Sequence, residues 1–131
     1  SHTVKEFVEL AFRYAGINIR WEGKGIKAKG IIESIASSST LSPGYTLIEI
    51  DQHYFRPTEC VHLRANSAKA RKELNWHPKI SFRELAKIMV DYDLNLIGLK
   101  PKGEGIRICQ EKGFSYTNHD FSFYDKIKET R

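Results

Sequence analysis

Two helix-start signals constrain the fold of this 131-residue chain more than any other feature. Thr3-x-x-Glu6 and Ser81-x-x-Glu84 are capping boxes, whose side chains can bond to unpaired backbone N–H groups of a first helical turn. Apolar residues follow each box at helical spacing, and a glycine then supplies a left-handed stop. The sequence therefore predicts an N-terminal helix and a longer second one. The second helix has one apolar stripe, which we expect to be core: Phe82, Leu85, Met89, Tyr92 and Leu96.

Alternating apolar residues between the two boxes predict β-strands. Ile17, Ile19 and Trp21 alternate with polar residues, Thr46 to Asp51 is a second predicted strand, and Ile31 to Ile35 is a shorter candidate. Gly23 to Gly30 is predicted to be a loop, and Ser37 to Gly44 a turn-rich insertion. Helices and strands are present without regular β-α-β-α alternation, which indicates a mixed α/β fold.

A short helix is predicted after this insertion. Asn66 or Ser67 can cap it, Ala70 and Leu74 would form its inner face, and Pro78 prevents its continuation.

The sequence after residue 100 has weaker signals. Ile106 to Cys109 and Phe114 to Thr117 are predicted as short strands, and Asp125 to Arg131 is a polar end. We divide the chain into a domain over residues 1–99 and a C-terminal extension over residues 100–131.

Composition excludes several classes of function. The net charge of +5 is spread along the chain, without the interleaved aromatics of a nucleic-acid surface. No apolar run is long enough to span a membrane. Cys60 and Cys109 form no metal-type pair, and no histidines stand at ligand spacing, so no metal site is predicted. These features predict a reduced, cytoplasmic protein that binds neither nucleic acid nor membrane.

Arg56 and Glu59 are the candidate ligand-binding residues. A guanidinium can meet phosphate oxygens through two parallel N–H donors, and Pro57 biases the arginine backbone toward an extended geometry. A carboxylate only accepts hydrogen bonds, which suits the two hydroxyls of a ribose. From spacing alone, the alternative is an exposed Arg–Glu pair that contributes little to stability.

The segments around these residues resemble a known family. Tyr54-Phe55-Arg56-Pro57-Thr58-Glu59, Ser67-Ala68-Lys69-Ala70 and Leu74-Asn75-Trp76-His77-Pro78-Lys79 are similar to the C-terminal part of extended short-chain dehydrogenase/reductases that act on nucleotide sugars. Thr3–Glu9 and Trp21–Gly25 bring the resemblance closest to the GDP-mannose 4,6-dehydratases, over roughly residues 2–97.

The resemblance implies the substrate-binding domain of a lyase. The complete enzyme uses NADP to convert GDP-mannose to GDP-4-keto-6-deoxymannose, with Arg56 on the diphosphate and Glu59 on the ribose. The Rossmann portion would be missing from this chain and would be its partner. The start at Ser1 rather than Met agrees with a fragment. Because apolar faces of the first helix and strand would then be uncovered, we also expect a homo-oligomer.

The cofactor and catalytic motifs of that family are not found. Gly23-Lys24-Gly25 and Gly103-Glu104-Gly105 lack the third glycine and the strand–turn–helix context of a dinucleotide site. Tyr124-x-x-x-Lys128 matches the catalytic pair literally, but close to the C-terminus. We therefore assign no catalytic residue and no bound NADP to this chain, and expect it to be inactive alone.

Some positions depart from the resembled pattern, and two alternatives stay open. Cys60 and His62 replace residues common near the nucleotide, while Asn66 and Asn75 replace helix-end residues that asparagine can imitate. His53, which also flanks Arg56, is predicted to be a surface residue. The alternatives are a free-standing nucleotide- or protein-binding module, or part of another sugar-nucleotide epimerase or reductase.

Overall fold

Four α-helices and a three-stranded sheet form the part of the chain that the computed structural model describes, which is residues 1–36, 40–54, 56 and 64–114. The helices are α1 (Val4–Tyr14), α2 (Ala68–Leu74), α3 (Phe82–Leu96) and α4 (Glu104–Glu111). The strands are β1 (Ile17–Glu22), β2 (Lys29–Ile35) and β3 (Thr46–Glu49), and short 3-10 turns cover Gly25–Lys27 and Gln52–Tyr54. The predicted mixed α/β class is confirmed.

The sheet is antiparallel throughout, with β2 in the centre. Lys29 pairs with both neighbouring strands, so β2 begins two residues before Ile31, where the strand was predicted to start. Gly30 lies between side chains of those strands, because an added Cβ would be 3.2 Å from both Ile19 and Ile48. Ile32 is fully buried.

The third strand is shorter than predicted. It ends at Glu49, whereas the sequence predicted a strand that reaches Asp51. The Asp51 side chain instead accepts a hydrogen bond from the His53 N–H at 2.8 Å. That bond favours a turn over a further ladder pair at this point.

Both predicted capping positions begin a helix. Thr3 Oγ1 accepts from the Glu6 N–H at 3.0 Å, and α1 starts at the next residue after Thr3. At α3 the box is complete, since Ser81 Oγ accepts from the Glu84 N–H and the Glu84 carboxylate accepts from the Ser81 N–H at 2.7 Å. These local bonds explain why both helix starts could be predicted.

The predicted inner faces are partly wrong. In α3, Leu85 and Met89 remain 44% and 43% exposed, while Ala86 and Asp91 are the buried residues. The helix contacts α1 and α4, so its buried positions are those that face these two neighbours rather than the most apolar stripe. Leu74 of α2 is 76% exposed, which contradicts its predicted inward position.

The strand predicted over Ile106 to Cys109 is also wrong, because this segment lies in α4. Gly105 and Cys109, four residues apart, are both buried, which is the spacing of a helix face. A Cβ on Gly105 would lie 2.5 Å from the Lys87 carbonyl oxygen, so α4 packs directly on the backbone of α3. Phe114 belongs to no helix or strand, and residues 115–117 lie outside the described residues.

Asp91 connects three helices at the centre of this packing. Its carboxylate is fully buried and accepts from the Tyr14 hydroxyl at 2.9 Å and the Gly105 N–H at 2.7 Å, with a longer contact to the Ile106 N–H. The Tyr14 hydroxyl in turn accepts from the Glu104 N–H at 3.1 Å. The start of α4 is therefore capped by side chains of α1 and α3 rather than by its own residues.

The division of the chain into a domain over residues 1–99 and an extension over residues 100–131 stays a prediction.

Candidate functional site

Arg56 lies just beyond the 3-10 turn Gln52–Tyr54 and is exposed. The turn is held by the Asp51–His53 bond and by edge-to-face contact of the His53 and Tyr54 rings, whose centroids are 5.2 Å apart. His53 is exposed, as predicted. Within residues 1–36, 40–54 and 64–114 nothing forms an ion pair with the Arg56 guanidinium. An exposed cation without such a carboxylate partner can accept a phosphate.

Glu59 lies outside the described residues, and so do Pro57, Cys60 and His62. The predicted pairing of Arg56 with Glu59 across one ligand therefore stays a prediction.

A cleft of about 470 Å³ lies at the start of α2. Its lining residues are Arg64, Ala65, Asn66, Ser67, Ala68 and Arg71. Asn66 Oδ1 accepts from the Ala68 N–H at 3.0 Å, so Asn66 orders this turn, while Ser67 occupies the cap position without a side-chain bond to the helix. Asn75 ends α2 at φ 48°, in the left-handed conformation that the sequence suggested it could adopt.

Arg64 and Arg71 give the cleft its positive charge. A helical side chain leans toward the N-terminal turn, so Arg71 reaches back over the helix start. No described residue forms an ion pair with either guanidinium. Arg56 does not line the cleft, so the structure does not bring the predicted arginine together with these two.

Sequence reasoning missed this cleft because it treated the positive charge as spread along the chain and assigned no ligand to Arg64 or Arg71. The available signal was spacing. Arg64 precedes the capping Asn66 by two residues, and Arg71 follows Ser67 by one helical turn.

The described residues do not fit a dinucleotide cofactor. Gly23 precedes and Gly25 begins a 3-10 turn that leads into β2, whereas a pyrophosphate site needs a strand, a glycine turn and an α-helix N-terminus. Gly103 does cap a helix, α4, but the start of α4 already receives the buried Asp91 carboxylate and packs on α3. A phosphate could not replace that carboxylate without breaking the helix contact.

Other candidate chemistry can be located only in part. Among the described residues no group of three or more His, Cys, Asp and Glu side chains could hold a metal ion. Tyr124 and Lys128 lie outside those residues. Burial raises the pKa of the Cys109 thiol, so at neutral pH it packs as a protonated side chain rather than acting as a nucleophile. No helix in the described part is long and apolar enough to cross a bilayer.

Comparison with known proteins decides the family. The model of the family described as GDP-mannose 4,6 dehydratase matches residues 1–89. The chain belongs to this family. It is 38% identical over 101 residues to the GDP-mannose 4,6 dehydratase of Drosophila melanogaster, covering 77% of this chain and 24% of that protein. The human enzyme is 36% identical over 100 residues, with 76% of this chain and 25% of the relative covered.

A plant relative gives the same result, since GDP-mannose 4,6 dehydratase 1 of Arabidopsis thaliana is 38% identical over 96 residues, covering 73% of this chain and 20% of that protein. The chain thus spans about a quarter of the length of these curated relatives. Membership in the GDP-mannose 4,6 dehydratase family confirms the resemblance inferred from sequence. The match includes Arg56, both arginines of the α2 cleft and the first half of α3, whereas α4 lies beyond it.

Proposed function

We propose that this chain is the GDP-sugar-binding C-terminal part of a GDP-mannose 4,6-dehydratase, a hydro-lyase of nucleotide-sugar metabolism. The complete enzyme would convert GDP-mannose to GDP-4-keto-6-deoxymannose, on the route to GDP-fucose. The observation that carries this proposal is Arg56, an exposed guanidinium without a described carboxylate partner inside the family match. Family membership favours this reaction over the epimerase and reductase alternatives.

The contribution of this part to the reaction would be positioning. Arg56 would bind the diphosphate by charge-assisted hydrogen bonds, and Glu59 would accept from the ribose hydroxyls. Binding energy from this end of the substrate can hold the hexose in a reactive orientation at a distant centre. Arg64 and Arg71 provide two further guanidinium groups in a cleft whose volume is within the range of small-molecule sites.

The hydride chemistry would belong to the rest of the enzyme. NADP supplies oxidation and reduction in the proposed reaction, and no glycine turn among the described residues fits it. We therefore assign NADP and the catalytic residues to a Rossmann portion that is the partner of this chain, within a cytoplasmic homo-oligomer. Incubating the isolated chain with GDP-mannose and NADP should yield no keto-sugar, and turnover by a pure sample would overturn this assignment.

The decisive experiment replaces Arg56 in the complete enzyme. Loss of a hydrogen bond to a charged group costs about 1.5–3 kcal/mol, so Arg56→Ala should weaken GDP binding roughly ten- to a hundredfold. Arg20→Ala is the matched control, because Arg20 is an exposed arginine on β1 outside the site. Calorimetric titration of GDP measures both variants. Equal GDP affinity in Arg56→Ala and the control would overturn the proposed clamp.

Glu59 needs a separate test because its position is not described. Glu59→Gln keeps the shape of the side chain but turns one acceptor into a donor, so we expect a smaller loss of GDP affinity than for Arg56→Ala. The difference in affinity between the unsubstituted enzyme and Glu59→Gln should be smaller for a deoxyribose analogue of GDP than for GDP. If Glu59→Gln weakens both ligands by the same factor, the ribose contact is wrong.

A further inference from the structure

A second basic cleft lies where α1, α3 and the segment before α4 meet. It has a volume of about 360 Å³ and is lined by Leu10, Arg13, Tyr14, Arg83, Ala86, Lys87 and Lys102. Four of these residues are cationic, and they come from three separate segments of the chain. None of them belongs to the Arg56 segment or to the cleft at α2. We call this region the junction cleft.

The positive charge of the junction cleft is only partly compensated. Lys87 pairs with Glu104 at 2.5 Å, and that contact is the main reason why the pKa of the Glu104 carboxyl is lowered. Arg13, Arg83 and Lys102 form no ion pair with any residue that the structure describes. Lys102 also lowers the pKa of the Glu104 carboxyl through its charge, but less than Lys87 does, so one carboxylate serves two lysines. Like charges that line one cleft repel one another, and an anion bound between them would relieve that repulsion.

The floor of the junction cleft is fixed and partly aromatic. The Tyr14 hydroxyl is held by Asp91, so its ring cannot turn away without breaking a buried hydrogen bond. The Lys87 and Lys102 ammonium groups lie 5.8 and 5.3 Å from the centre of this ring. Both lysines are therefore drawn toward the same point by cation–π attraction. These contacts restrict the positions of the two lysines before any ligand binds.

We propose that the junction cleft binds a small phosphate-bearing ligand. Arginine and lysine together are the side chains that recognise phosphate oxygens, by paired N–H donors and by point charge respectively. The volume is near the lower end of the range for small-molecule sites, roughly 300–1,000 Å³, so it suits a diphosphate or a compact phosphomonoester. The Tyr14 ring and the Leu10 and Ala86 side chains would contact the less polar part of such a ligand.

Inorganic pyrophosphate is a suitable first probe because it carries the charge without a base or sugar. Titration of the chain, followed by NMR, should shift the signals of Tyr14, Ala86 and Lys102 in a saturable manner. The double variant Arg13→Gln/Lys102→Gln should weaken pyrophosphate binding at least tenfold, because it removes two charged donors. Arg20→Gln/Lys29→Gln is the matched control, since it removes the same net charge from the sheet, where both cations already pair with carboxylates.

The outcomes separate this proposal from the one at Arg56. Arg56→Ala should leave the pyrophosphate shifts at Tyr14 unchanged, whereas the junction double variant should abolish them. If both double variants weaken pyrophosphate binding equally, the attraction is only diffuse charge and the proposal is wrong.

A second experiment uses phosphatidylcholine vesicles with and without phosphatidylglycerol. Saturable pyrophosphate binding without vesicle binding assigns the site to a soluble ligand, and vesicle binding lost in Arg13→Gln/Lys102→Gln assigns it to a lipid headgroup. If neither pyrophosphate binding nor vesicle binding is detected, the proposal is wrong.

Discussion

The Tyr14–Asp91 contact and the three arginines Arg56, Arg64 and Arg71 differ in how their polar groups are satisfied. At the junction a fully buried carboxylate accepts from a tyrosine hydroxyl and from backbone N–H groups, so its charge is used within the protein. The three arginines have no ion pair with any described residue. Buried charges must be satisfied internally, whereas exposed and unpaired ones are available to a ligand. The comparison indicates which polar residues serve folding and which serve binding.

The strongest test of this comparison is to remove the junction carboxylate. Asp91→Ala leaves the Tyr14 hydroxyl and the Gly105 N–H buried without their acceptor, and unsatisfied groups cost about 1–3 kcal/mol each. We expect a loss of about 3 kcal/mol or more in the free energy of unfolding, measured by urea denaturation. Asp93→Ala, on the same helix, is the control. A loss below about 1 kcal/mol would show that Asp91 does not hold the helices together.

The next effect appears at alkaline pH and comes from Tyr14. Burial and the bond to Asp91 raise the pKa of its hydroxyl to about 12. The folded pKa exceeds the ordinary value of about 10, so this stabilisation is complete below pH 10 and is lost as the pH rises to 12. Linkage puts the change at on the order of 2 kcal/mol. Unfolding of Tyr14→Phe should lack this part of the pH dependence. If the free energy of unfolding has the same pH dependence in Tyr14→Phe and in the unsubstituted protein between pH 9 and 12, this prediction is wrong.

A smaller loss is expected when the contact between α3 and α4 is overpacked. Gly105→Ala places a Cβ 2.5 Å from the Lys87 carbonyl oxygen, and backbone on both sides must shift to admit it. Overpacking of this kind costs roughly 1–3 kcal/mol. Gln110→Ala, at an exposed position of α4, should be near neutral. If Gly105→Ala and Gln110→Ala melt at the same temperature, α3 and α4 do not pack as closely as described.

The smallest effect on stability should come from the binding region itself. Arg71→Ala removes an exposed side chain without an ion pair among the described residues, so we expect a change within about 0.5 kcal/mol. In the complete enzyme the same substitution should weaken GDP binding severalfold while the melting temperature stays constant. A large stability loss with unchanged GDP affinity would place Arg71 with the structural residues and remove the contrast between the two regions.

Local signals predicted more of this molecule than long-range ones. Ser81 and Glu84 fix the start of α3 by bonds within one turn, and these are readable from four residues. The strand predicted at Ile106 failed because a four-residue apolar window fits either a strand or a helix face, and packing on α3 decided between them. Asp91 attracted no attention in the sequence, since its three donors come from residues far away in the chain.

The candidate site shows the same limit. Arg56 could be identified from the proline beside it and from the family resemblance, and its exposure agrees with a binding role. The cleft at the start of α2 could not be identified, because Arg64 and Arg71 line one cleft only when the turn at Asn66 is formed. The four cations of the junction cleft are separated by up to 89 positions and were invisible to motif reasoning.

The buried thiol of Cys109 can report how often α4 opens. The thiol is buried on the side of α4 that faces α3, and its raised pKa keeps it protonated and slow to react. An alkylating reagent can modify it only in the moments when the helix lifts away, so the rate of modification counts those openings. In a protein whose other cysteine is replaced by serine, that rate would measure how often α4 separates from α3. It would also show whether a ligand in the junction cleft makes such openings rarer.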